Sequence, residues 1–88
     1  MANKRQLKKS INQICEALFA ECVAISLYGA ESQKTNAEEL IFVIVKMQNH
    51  YISRVSYPEP GISTKAYYKD LKDKFYNQVQ ELLDQINS

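Results

Sequence analysis

Apolar residues three and four apart run through most of this chain, and that spacing constrains the fold more than any other feature. On a helix of 3.6 residues per turn it draws a single apolar stripe, whereas a strand needs alternation. The first stripe reads Leu7, Ile11, Ile14, Leu18, Cys22 and Ile25. It predicts a helix from about Lys4 to Tyr28. Gly29 is the expected stop, since glycine takes the left-handed backbone conformation without penalty. The polar stretch from Ala30 to Lys34 is the expected first loop.

A second helix is predicted over about 36–56. Thr35 and Glu38 fit a capping box, in which the hydroxyl serves a free backbone N–H and the glutamate reaches back to the cap. The stripe is Leu40, Val43, Ile44, Met47, Tyr51 and Val55. Leu40 to Val45 is rich in β-branched residues and by itself suits a strand. The cap and the three-four spacing beyond Met47 select helix instead. Tyr57-Pro58-Glu59-Pro60-Gly61 ends it, with each proline holding the residue before it in extended geometry, so a stiff extended connection is expected. A third helix is predicted over about 64–87 on Tyr68, Leu71, Phe75, Val79, Leu82 and Ile86. Lys69, Asp70, Asp73, Lys74, Asn77, Glu81 and Asp84 occupy its other face. Two glycines and two prolines in 88 residues leave room for few turns. The reading is therefore one all-α domain over 1–88, an antiparallel up-down-up three-helix bundle.

The residues that could carry chemistry are sparse. His50 is the one histidine, no Glu-x-x-His pair occurs, and neither Cys-x-x-Cys nor zinc-site spacing is present. Two isolated glycines cannot form a phosphate-cradling loop. No catalytic, metal-ligating or cofactor-binding residue is expected, and the chain does not read as an enzyme. Cys15 and Cys22, seven apart on one helix, stand roughly 10 Å apart along its axis, beyond the roughly 7 Å that a disulfide tolerates. They read as free thiols acting as small core residues, which suits a reducing cytoplasm. Asn12, Gln13, Glu16 and Glu21 interrupt any signal-peptide core. The longest unbroken aliphatic-aromatic run, Leu40 to Val45, is too short to span a bilayer. A cytoplasmic protein without a membrane partner is expected.

A net charge of +1 argues against a general nucleic-acid binder. Lys4, Arg5, Lys8 and Lys9 nevertheless crowd the first ten residues. They could contact an anion, a nucleic acid or an acidic membrane surface, or simply form a solubilising tip. Glu21 has apolar neighbours at three and four residues, so it either contacts a partner or extends its carboxylate to water. Six tyrosines and no tryptophan suggest aromatic thickening of a thin core, with hydroxyls reaching solvent.

The run Gln6-Leu7-Lys8-Lys9-Ser10-Ile11-Asn12-Gln13-Ile14-Cys15, continued by Phe19-Ala20-Glu21-Cys22-Val23-Ala24, resembles small helical proteins of Bacteroidetes-type gut bacteria. The resemblance implies a bacterial cytoplasmic protein with a helical fold. It carries over no catalytic or binding residue.

The remaining feature is an excess of apolar surface. Phe19, Val23 and Leu27 stand off the first stripe, and Ile41, Phe42, Val45 and Ile52 exceed what one stripe on the second helix needs. Large apolar patches usually mark association. Phe19, Val23, Leu27, Ile41, Phe42 and Val45 are the expected interface, most simply of a two-fold homodimer, or otherwise with a protein partner.

Overall fold

The computed structural model describes residues 4–86 and is all-α. Three helices account for its regular structure: α1 (Lys4–Tyr28), α2 (Glu31–Ser56) and α3 (Thr64–Ile86). They form a rod of 48 × 19 × 19 Å, as expected of helices that each run about 35–40 Å at 1.5 Å per residue.

α1 has the predicted bounds, but Gly29 ends it for a different reason from the one expected. Its backbone is not left-handed; among the described residues only Gly61 has positive φ, at 89°. A Cβ at position 29 would lie 2.6 Å from the Ile25 carbonyl oxygen and 3.0 Å from its Cγ2. Glycine is required there by close approach rather than by dihedral freedom. Its N–H still donates to that carbonyl, at 2.8 Å.

All of the expected loop from Ala30 to Lys34 except Ala30 is helix. α2 begins at Glu31, and the Thr35–Glu38 box is not its cap. Ala30 is the cap residue, extended at φ −68°, ψ 157°, and its N–H donates to Gln33 Oε1 at 3.3 Å. Alanine has no side-chain acceptor, so half a capping box suffices. Glu31 in the first turn adds a favourable charge at the positive end of the dipole. The residues after the Gly29 break are all compatible with helix, so the helix starts as soon as geometry allows.

The core matches most of the predicted stripes. Leu7, Ile11, Cys15, Leu18 and Cys22 of α1 are buried, as are Leu40, Ile44, Met47, Tyr51 and Val55 of α2 and Tyr68, Leu71, Phe75 and Leu82 of α3. Ile14, Ile25, Val79 and Ile86 pack against it half-buried. Two assignments differ. Val43 is exposed, and Ala37, one turn before Leu40, takes a buried place instead. Residue 87, the expected end of the third helix, lies outside the described residues.

Side-chain hydrogen bonds tie the helices together. Gln48 of α2 donates to Asn12 of α1 at 2.8 Å, and Asn36 of α2 donates to the Gln85 carbonyl of α3 at 3.3 Å. The connection from Tyr57 to Ser63 is not extended throughout. It turns at Pro60 and Gly61, where the positive φ favours glycine. Ser63 then caps α3, its Oγ accepting the Ala66 N–H at 3.2 Å.

The C-terminus of α2 is satisfied from α3. A helix leaves its last four carbonyls without intrahelical partners. Here Ser53 accepts from the Tyr57 N–H at 3.0 Å, Arg54 from the Tyr67 hydroxyl at 3.0 Å, and Val55 from the Tyr68 hydroxyl at 3.1 Å. Tyr67, which is not in the predicted stripe, is buried for this purpose. The Arg54 guanidinium stacks 5.7 Å from its ring centroid. Tyr68→Phe should lower stability by about 1–2 kcal/mol, because it strands a buried carbonyl. Tyr76→Phe, at an exposed ring, should change it by less than about 0.5 kcal/mol. Urea denaturation of the two variants compares them directly.

Candidate docking face

Five of the six predicted interface residues occupy two neighbouring strips, while Phe42, six residues before Gln48, stands about 120° further round α2 at 100° per residue. At 100° per residue, Phe19, Val23 and Leu27 stand roughly 85–165° round α1 from the centre of its buried stripe. Phe19 and Val23 follow Asn12 by seven and eleven residues, so they share its side of α1. Ile41 and Val45 precede Gln48 by seven and three residues, and Ile52 follows it by four, so all three share its side of α2. The Asn12–Gln48 bond therefore lies within one face built from both helices. α3 packs elsewhere, since α2 meets it through Asn36 and Arg54, on the other flank of its buried stripe.

Exposure across this face is graded. Phe42 is 70% exposed, Leu27 61%, and Phe19 and Val45 41% each. Val23 and Ile41 are half-buried, and Ile41 and Ile52 pack partly on the core. Phe42 aside, the expected residues thus form a layer in which Phe19, Leu27 and Val45 face solvent and Ile41 packs against the core.

Other candidates are dispersed. Lys4, Arg5 and Lys9 are exposed and Lys8 half-buried, along a shallow groove of α1 that also includes Asn12, Gln13 and Glu16. Glu21 is exposed. His50 is exposed, its ring edge-on to Tyr51 at 5.1 Å. Among the described residues no cluster of three His, Cys, Asp or Glu could hold a metal ion. A crevice of about 270 Å³ opens where α1 ends, with Cys22, Ile25, Ala37, Leu40 and Ile86 among its walls and no charged lining residue. α1 is the one described helix long and apolar enough to cross a membrane, and it also supplies five residues of this core.

Both cysteines are free and buried. Burial pushes the Cys15 thiol up to about 11. Burial, and then the Glu21 carboxylate, push Cys22 up too. The hydroxyls of Tyr51 and Tyr68 are raised as well, chiefly by burial. Neither thiol has the lowered pKa of a nucleophile.

No family model matches the chain, and no curated protein or solved structure matches it.

The raised groups make folding stability pH-dependent. Below pH 9 the thiols are protonated in both states, so their contribution is fully present. Between pH 9 and about 11 the unfolded Cys15 thiol ionises while the folded one does not, and stability falls by about 1.4 kcal/mol per pH unit for this group alone. Urea midpoints at pH 8 and pH 10 should differ accordingly, with Cys15→Ser reducing the slope.

Proposed function

We propose that this protein is a non-enzymatic interaction module, an up-down-up three-helix bundle that self-associates or docks a protein partner through the outer face of α1 and α2. The observation that carries the reading is the exposure of Leu27, Phe19 and Val45 on that face. Soluble monomers seldom leave such side chains together in water, and contiguous apolar surface usually marks association. Burying it on contact contributes roughly 25 cal/mol per Å² of apolar area, offset by the entropy lost on association.

Three contacts support the bundle topology. Asn12 meets Gln48, Arg54 meets Tyr67, and Asn36 meets Gln85. Residue numbers rise along one helix as they fall along its neighbour. The non-enzymatic reading draws on the separation of the reactive groups. If Asn12 and Gln48 share a level, His50 and Glu21 lie about 16 Å apart along the rod at 1.5 Å per residue, too far for shared hydrogen-bonded chemistry. The two buried free thiols fit a reducing cytoplasm.

A nucleic-acid reading would place the ligand along Lys4, Arg5, Lys8 and Lys9, where basic side chains line one groove. It requires a salt-sensitive mobility shift with DNA or RNA that disappears when the four become alanine.

Light scattering at high micromolar concentration tests the docking reading. The native chain should exceed its monomer mass of 10.2 kDa, and Phe19→Asp with Val45→Asp should return it to monomer. A native chain that stays monomeric, unchanged by those substitutions, would overturn self-association.

A further inference from the structure

Charge is segregated along the rod. Residues 4–15 and 46–75 carry ten of the eleven basic side chains, with only Glu59, Asp70 and Asp73 as acids. Residues 17–45 and 76–86 carry Lys34 against six acids, and Glu16 falls between the two sets. The contacts of Asn12 with Gln48, Arg54 with Tyr67 and Asn36 with Gln85 bring the basic segments to one half and the acidic segments to the other. A nearly neutral chain is thus a strongly polarised object about 48 Å long.

The same polarity runs across the candidate docking face. Lys8 and Arg5 precede Asn12 by four and seven residues and continue its strip into the basic half. Glu38 and Glu31 precede Val45 by seven and fourteen and continue its strip into the acidic half. Phe19 and Ile41 are each seven residues from the Asn12–Gln48 bond, in the same direction along the rod, and so share one level. From that level Lys8 lies about 16 Å one way and Glu31 about 15 Å the other, at 1.5 Å per residue.

We propose that a second copy of this chain covers the face, packed antiparallel about a two-fold axis near Phe19 and Ile41, with Lys8 of each copy, and Arg5 one turn beyond it, against Glu31 of the other. This rests on the docking reading and specifies its partner. A two-fold axis makes each contact twice, so one offset satisfies both charged ends while the apolar side chains meet at the centre. A parallel pair would set the basic half on the basic half. Exposed ion pairs add little affinity singly, but their sign selects partner orientation.

Sedimentation equilibrium tests this with the native chain, K8E, E31K and the variant carrying both changes, each checked for native helicity by circular dichroism. Each single reversal should weaken self-association by about tenfold at low salt, and the two changes together should restore it. Raising salt to about 0.5 M should weaken the native dimer several-fold, since screening then acts over a few ångströms. Association that ignores the reversals or strengthens with salt, while still lost in Phe19→Asp with Val45→Asp, would overturn the antiparallel arrangement and leave the docking reading intact. A native chain that is strictly monomeric would remove self-association and the arrangement built on it together.

Discussion

The hydroxyls of Tyr67 and Tyr68 on the last carbonyls of α2 are the interaction on which the rest of the architecture depends. Without them the end of α2 would carry buried acceptors with no partner, an expensive condition in an apolar interior. With them the first turn of α3 is bound to the last turn of α2. The Tyr57–Ser63 connection need then only reverse the chain, and the turn at Gly61 does so. The long side chains of Tyr51 and Phe75, edge-on at 5.2 Å, continue the α2–α3 contact beyond this anchor.

α2 is the element that serves two neighbours. One flank of its buried stripe reaches α3 through Asn36 and Arg54, and the other reaches α1 through Gln48. Because α3 takes one flank, it leaves the outer face of α1 and α2 uncovered. The apolar excess of the first two helices is therefore not absorbed by the third. Val23, Ile41 and Ile52 are half-buried, while Phe19 and Val45 stay exposed. The same arrangement gathers charges distant in sequence into two opposed halves. Apolar centre and charged ends then lie on one face.

Periodicity alone made three helices and most of the core legible, because an amphipathic stripe is a local property with a fixed repeat. The single-stripe reading erred where neighbours decide. Val43 has the right spacing for the core but lies at the margin of the α3 flank, seven and eleven residues from Asn36 and Arg54, where it stays exposed while small Ala37 is buried. Ala30 to Lys34 resembled a loop in composition, yet no residue there prevents helix once Gly29 has broken α1. The apolar side chains off the stripes were legible as surplus, since they need only counting. That most of them, Phe42 apart, share one face was not, because it depends on how α1 and α2 are rotated about their axes.

The sequence by itself determined the helical class, the approximate helix bounds and the absence of a recognisable catalytic motif, for spacing, breakers and motifs are written in neighbouring residues. Only the tertiary structure decided that tyrosines serve as caps, that Gly29 is required by close approach, and that an even balance of charge becomes a polarised rod. Each of those depends on groups far apart in the chain, brought together by packing that no local pattern encodes.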